Sequence, residues 1–195
     1  MLGSDAIDRD IGVIVQTGAA SRATGQARAA GFTLVELVIV VLVVTLLTAL
    51  ALPSYVNVTR ANRATTQAAE FLTAINLART EAITRGMRIS LCPSADGATC
   101  AAGTDWSGGW LVFADRADVG ILGSTDTVLR VWPALAGADA LSGDIAVVSF
   151  TRDGAVTSDT DVQWTLRPQG CQQDQQRRIR LGPYGRSNVS KETCS

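Results

Sequence analysis

Gly31-Phe32-Thr33-Leu34-Val35-Glu36-Leu37 opens the stretch of this 195-residue chain that decides its fold. No charged residue occurs at positions 37–59, and most of the first part of this run is Leu, Val, Ile or Ala. As a helix, residues 32–52 would be about 30 Å long, which matches the hydrocarbon core of a bilayer. Pro53 ends the apolar run. The stretch therefore predicts a single membrane-spanning helix over residues 32–53.

Two features mark the beginning of this span. Glu36 lies inside it, where an ionised carboxylate is costly unless a group pairs with it. Thr33 and Glu36 have the spacing of a capping box, which satisfies free amides at a helix start. A positive group on a neighbouring subunit would also balance the charge of Glu36, and the two roles can follow one another. Residues 1–31 show no strong periodicity, so we interpret them as a leader segment.

The composition disfavours most enzyme classes. The chain has no histidine, which removes the commonest general base, the usual Ser and Cys triads and most zinc and haem sites. Hydrophobic residues make up 47% of the chain and charged residues 18%, unlike a disordered chain. We therefore expect a non-catalytic folded protein without a metal or a cofactor.

Beyond Pro53 the pattern predicts a second helical segment and then strands. Residues 54–86 are amphipathic, with apolar residues at steps of three and four and Gly86 suited to the C-terminal cap. Residues 87–195 contain short β-rich runs separated by Gly, Asp and Ser. The runs lie at 88–91, 110–113, 128–132, 145–150, 162–166 and 178–181, and Asp153-Gly154 predicts a hairpin turn. We predict an α+β fold, in which one long helix packs on an antiparallel sheet.

The stretch at residues 31–37 resembles the prepilin signature of type IV pilins and pseudopilins. Trp106-Ser107-Gly108-Gly109-Trp110-Leu111-Val112-Phe113-Ala114-Asp115 is similar to a strand of the GspH/FimT family of minor pilins and pseudopilins. Residues 77–82 and 89–92 also resemble that family. The resemblance covers most of residues 31–195 and implies a type IV pilin-like fold. We expect the two tryptophans of the strand to pack in the core.

The resemblance also implies how the N-terminal segment is used. In this family a prepilin peptidase cuts after the residue that matches Gly31, and the new N-terminal residue, here Phe32, is methylated. The residue that matches Glu36 pairs with the terminal amine of an adjacent subunit. The implied partners are the peptidase, the inner membrane and other pilin or pseudopilin subunits.

The four cysteines allow three pairings. The nearest-neighbour scheme joins Cys92 to Cys100 and Cys171 to Cys194, and it would staple one loop and the C-terminal tail. The spacing C-x-x-C does not occur, so zinc or thioredoxin-like chemistry is disfavoured. Four cysteines beside a membrane anchor favour an oxidising compartment, hence a periplasmic domain.

Charge is divided along the chain. Residues 89–166 hold three Arg and ten Asp, a net charge of −7, whereas residues 167–195 hold six basic and two acidic residues, a net charge of +4. One interpretation is a solvated strand face that balances the acidic middle of the domain. The other is a phosphate-binding surface for double-stranded DNA. Its candidate residues are Arg177, Arg178, Arg180, Arg186, Asn188 and Lys191.

The resemblance bears on this choice, because FimT-type minor pilins are associated with DNA uptake and a C-terminal Gly-Arg-x-Arg motif is implicated in some. Gly185-Arg186-Ser187-Asn188 matches the first half of that motif, and Asn188 replaces the second arginine. The leading hypothesis is a minor pilin, first a single-pass inner-membrane protein and then part of a type IV pilus, with DNA binding as an addition. The alternative is an H-type pseudopilin of a type II secretion system.

Overall fold

A computed structural model describes residues 31–117 and 119–194, without the side chains of residues 50–54. The predicted leader, 1–31, lies outside the described residues except for Gly31. The predicted membrane span, 32–53, ends in the residues whose side chains are not described. Within the described part of the chain, no helix meets the length and hydropathy required of a membrane-crossing segment.

One long helix, α1, covers Leu34–Arg85. The chain divides within it into two units, Met1–Val43 and Val44–Ser195. In the first unit the helix starts after Thr33, whose hydroxyl oxygen accepts a hydrogen bond from the amide of Glu36 at 3.2 Å. In the second unit the helix ends at Arg85, where Gly86 has a φ of 63°. That left-handed residue stops the helix at the predicted position.

The described residues of the second unit form eight strands in two antiparallel sheets. They are β1 (Ile89–Pro93), β2 (Trp110–Ala114), β3 (Thr127–Trp132), β4 (Ala140–Gly143), β5 (Val148–Phe150), β6 (Val162–Arg167), β7 (Gln176–Leu181) and β8 (Ser187–Glu192). The first sheet has the order β3-β2-β1-β5, and the second sheet has the order β4-β6-β7-β8.

One face of α1 packs on both sheets through a shared core. Phe71 is fully buried at its centre, with its ring centroid 5.5 Å from that of Trp106, 5.0 Å from that of Trp110 and 5.1 Å from that of Trp164. All three contacts are edge-to-face, the geometry that aromatic quadrupoles favour. Small helix residues around Phe71 let the sheets approach; they are Ala64, Ala68, Ala74, Ala78 and Ala82. The expected core position of Trp106 and Trp110 is confirmed.

The two central strands of the first sheet, β1 and β2, are covered on both faces. Cys92, Leu111 and Phe113 form a second, smaller core, with Leu122 and Val147 packed against it. Every residue of β1 and β2 is consequently buried. This double burial explains why β2 is a continuous apolar run, without the alternation of a strand that faces solvent.

The predicted fold class, a long helix on antiparallel β structure, is confirmed, with two corrections of detail. The strands form two sheets where a single sheet was expected, and β4 and β8 had not been predicted. Both lie at an edge of the second sheet and contain small or polar residues. The predicted run at 145–150 is shorter, since β5 begins at Val148. The hairpin turn at Asp153-Gly154 is present, with the amide of Gly154 donating to the carbonyl of Thr151 at 2.8 Å.

Candidate functional site

The first candidate region is the start of α1, which combines exposed apolar side chains with one carboxylate. Between residues 32 and 43 every large hydrophobic side chain is 47–80% exposed. Soluble monomers rarely expose a contiguous apolar surface of this kind, which marks a membrane or protein contact. Thr33 caps the amide of Glu36, but among the described residues the Glu36 carboxylate has no partner. The cap is therefore half of a capping box, and within the described residues the charge of Glu36 is not balanced.

The second candidate region is the basic tail, where the structure separates the six predicted residues. Arg177 is 4% exposed and does not reach the surface. Its guanidinium donates to the carbonyl of Asp174 at 2.9 Å and to the hydroxyl of Thr65, on α1, at 3.1 Å. Burial lowers its pKa from the ordinary value. Arg177 therefore fastens β7 to the helix and is unavailable to a ligand.

Arg178 and Arg180 lie on the other face of β7, as their alternation with Ile179 and Leu181 predicts. The Arg178 Nε atom lies 2.7 Å from Glu192, an ion pair without hydrogen-bond alignment, and its Nη1 atom donates to Gln163 at 3.2 Å. The Arg180 Nε atom lies 3.9 Å from Asp161, and both side chains are about half exposed. Such an exposed ion pair contributes little to stability, about 0–1 kcal/mol. The Arg180 guanidinium can therefore leave Asp161 and bind another anion.

Three of the predicted residues meet in one surface depression, which we name the tail cavity. Its volume is about 380 Å³, within the range of small-ligand pockets. The cavity is lined by Asp161, Arg180, Gly182, Arg186, Ser187 and Asn188. Asn188 lies directly opposite Arg180 across the β7–β8 pair. Lys191 lies opposite Arg177 and so belongs to the other face of the sheet, away from the tail cavity.

The tail turn, residues 182–186, joins β7 to β8 and holds Arg186 at the cavity. The amide of Gly182 donates to the carbonyl of Arg186, and the amide of Gly185 donates to the carbonyl of Gly182, both at 2.8 Å. Gly185 has a φ of 75°, and a Cβ atom there would lie 2.5 Å from the carbonyl oxygen of Gly154. Glycine is therefore required in this Gly-Arg pair, for backbone geometry and for close packing.

Sequence reasoning missed the acidic partners of this surface. Asp161 and Glu192 neutralise part of the charge of Arg180 and Arg178. The only available signal was register, because an acidic residue just before β6 and another near the end of β8 come beside β7 once the three strands pair.

Two disulfides hold the loops of the second unit. Cys92 is bonded to Cys100, and Cys171 is bonded to Cys194, which is the nearest-neighbour scheme. The second bond ties the chain end to the loop before β7. That loop contacts α1, because Arg60 donates to the carbonyl of Gly170 at 3.2 Å.

Comparisons with known proteins agree with this architecture. The family model described as Type II transport protein GspH matches residues 67–185, and the Prokaryotic N-terminal methylation motif matches residues 26–52. The type IV minor pilin FimU of Pseudomonas aeruginosa aligns with a TM-score of 0.54 and 20% identity, over 66% of this chain and 89% of that one. The minor pseudopilin EpsH of the Vibrio cholerae Type 2 Secretion System aligns with a TM-score of 0.47 and 17% identity, over 66% and 97%. Comparison with curated protein sequences gives no match.

The GspH family model, the methylation motif and the exposed apolar helix start define a minor pilin or pseudopilin, a membrane-anchored subunit of a pilus or pseudopilus. Within that class, the chain belongs to the GspH family, whose model covers more than half of its length.

Proposed function

We propose that this protein is a non-catalytic minor pilin that assembles into a type IV pilus through its N-terminal helix. The observation that carries the proposal is the exposed apolar surface at residues 32–43, which surrounds a Glu36 carboxylate with no partner in the described chain. In this account the peptidase cuts after Gly31, and the subunit is anchored in the inner membrane through residues 32–53. Its β domain faces the periplasm, where disulfides are stable.

Assembly exchanges one apolar environment for another. Lipid covers the helix start before assembly, and the helices of neighbouring subunits cover it afterwards. In the second environment an uncompensated carboxylate is costly, so Glu36 selects the position at which a terminal amine neutralises it. The apolar surface then supplies adhesion, and Glu36 supplies the axial register.

Replacement of the carboxylate tests this mechanism. We expect Glu36→Gln to leave membrane insertion unchanged, because the amide removes a charge from an apolar segment, and to reduce incorporation into filaments. The measurement is the ratio of the protein in sheared filaments to that in the membrane fraction. Glu70→Gln is a matched control, since Glu70 is also an exposed carboxylate of α1. Equal incorporation of the Glu36 variant and the control would contradict the proposed register role.

The second candidate for the assembly is a type II secretion pseudopilus, with this chain as its H-type pseudopilin. The match of residues 67–185 to the GspH model favours it. Deletion of the gene separates the two assignments. We expect loss of surface pili with normal secretion of exoproteins, whereas a secretion defect with normal pili would assign the chain to the secretion system.

We also propose that the tail cavity binds DNA phosphates. Support comes from two observations. Arg180, Arg186 and Asn188 line one open depression, and the ion pair of Arg180 with Asp161 is long and exposed. Arg186 and Asn188 are exposed, so a phosphate can reach both side chains. Because Arg177 and Lys191 lie elsewhere, the site has fewer cations than the six-residue cluster predicted from the sequence.

Affinity measurements on the detergent-solubilised full chain test this site. We expect the double variant, Arg180→Ala with Arg186→Ala, to bind DNA more weakly. Its binding should also depend less on salt, because fewer phosphate contacts form and fewer counterions are released from the DNA. Arg116→Ala is the control, because it removes an exposed arginine from the acidic part of the domain. Binding that is equally weakened by the control, or by neither change, would remove the tail cavity as the DNA site.

A further inference from the structure

The tail turn presents an aromatic side chain that the functions proposed above leave unused. Tyr184 is 81% exposed at the apex of the turn. In the part of the chain that the structure describes, its hydroxyl has no hydrogen-bond partner. A single exposed apolar residue needs no explanation by itself. Tyr184 differs because of the backbone that holds it and because its turn borders the tail cavity.

The backbone on both sides of Tyr184 is fixed. The carbonyl of Pro183 accepts a hydrogen bond from the amide of Val156 at 2.7 Å, and Pro183 has a restricted φ. On the other side Gly185 packs against the carbonyl of Gly154, which also accepts from the Arg79 side chain of α1 at 3.1 Å. Tyr184 therefore sits on a preorganised turn, and only its two side-chain torsions must be ordered when a ligand binds.

The neighbours of Tyr184 are suited to a nucleotide. Arg186, two residues along the turn, lines the tail cavity together with Arg180 and Asn188. Gly182 also lines the cavity. Its amide donates to the carbonyl of Arg186, and this hydrogen bond joins the two ends of the turn. Proteins that hold single strands combine exposed aromatic rings, on which bases stack, with a cationic groove for the phosphates, and the tail turn carries an exposed ring and also lines a cationic depression.

We propose that Tyr184 stacks on an unpaired base of DNA whose adjacent phosphates lie in the tail cavity. The inference rests on the proposed DNA binding and specifies its substrate class as single-stranded DNA, including frayed duplex ends. In an intact duplex both faces of each internal base are already stacked, so the Tyr184 ring finds no partner there. The phosphate contacts are shared by both forms of DNA, and the ring contact is specific to the unpaired one.

The test compares two DNA probes and four variants of the full chain in detergent. The probes are a labelled oligothymidine and a long double-stranded fragment with few unpaired bases. We expect Tyr184→Ala to weaken oligothymidine binding roughly 5- to 150-fold, the range that loss of one stacked aromatic produces. Tyr184→Phe should retain the affinity, because the ring is kept. Tyr55→Ala, which removes the other tyrosine of the chain, should leave both affinities unchanged.

The outcomes separate this inference from the function on which it rests. If Tyr184→Ala binds oligothymidine normally while Arg186→Ala weakens the binding of both probes, the stacking role is wrong and the phosphate site is retained. Equal loss on both probes with Tyr184→Ala would also overturn the preference for unpaired bases. If the unaltered chain binds neither probe at physiological salt, DNA binding and the stacking role both fall.

Discussion

Helix α1 contains two regions of contrasting surface. From Leu34 to Val43 its side chains are all exposed, and all except Glu36 are apolar. From Ala64 to Ala82 they are apolar on one side only, and that side is buried on the two sheets. An amphipathic helix finds its partner within the chain, because one face meets the core and the other meets water. The helix start has no such division into two faces, and the function proposed above supplies lipid and then another subunit as its partner.

Phe71 gives the largest expected effect on this contrast. We expect Phe71→Ala to destabilise the β domain by about 3–5 kcal/mol, because the edge-to-face contacts with three tryptophans are replaced by a void. Denaturant unfolding followed by tryptophan fluorescence measures the change. Val40→Ala is the control in the exposed region, and it should shift unfolding by less than about 0.5 kcal/mol. A similar effect at both positions would show that the two regions of α1 are not energetically distinct.

Removal of the Cys171–Cys194 bond gives the next effect. We expect the paired change to Ser to cost about 3 kcal/mol by releasing the chain end from the loop that contacts α1. The same unfolding measurement applies. The Cys92–Cys100 bond closes a shorter loop, so on the chain-entropy model its removal should lower the free energy of unfolding by less. The reverse order would place the main restraint in the first sheet.

Asp115 is a buried carboxylate that contrasts with Glu36. Its partners lie within the chain, whereas the Glu36 carboxylate has none among the described residues. Asp115 accepts hydrogen bonds from Arg88 at 2.9 Å, Ser90 at 2.6 Å and the amide of Gly120 at 2.7 Å. Burial alone raises the pKa of Asp115, but these bonds and the charge of Arg88 outweigh it, so the pKa is lowered.

The lowered pKa of Asp115 predicts a pH dependence. Because the folded-state pKa lies below the unfolded value of about 3.9, the stabilisation is complete above that value and is lost as the pH falls through the folded-state pKa. Asp115→Asn should lower the unfolding free energy by about 2 kcal/mol at neutral pH. It should also flatten the acid limb of the stability profile. An unchanged acid limb in this variant would assign the pH dependence to other carboxylates.

The local sequence pattern predicted those parts of the molecule whose structure depends on residues close together in the sequence. Helical periodicity gave the buried face of α1, and Gly86 marked its end. The edge strands β4 and β8 were not predicted, because β4 is short and rich in small residues and β8 is mostly polar and exposed. Pairing decides those strands, and pairing depends on residues far along the chain.

The tail shows the same limit at the level of single residues. Arg177 is in phase with Ile179 and Leu181, so alternation alone could have indicated its inward position. Its partner Thr65, on α1, is separated from it by 112 positions, and no local pattern reports that contact. The charge of the tail was visible in the sequence, whereas its division between two faces and its acidic partners depend on strand register.

In the function proposed above, the chain is cut just before the exposed start of α1, and other subunits then cover that surface. Mass spectrometry of the intact protein recovered from sheared native filaments tests it most directly. We expect a chain that begins at Phe32, carries one N-methyl group and contains four oxidised cysteines. Recovery of a chain that retains residues 1–31, or of the protein solely outside filaments, would contradict it.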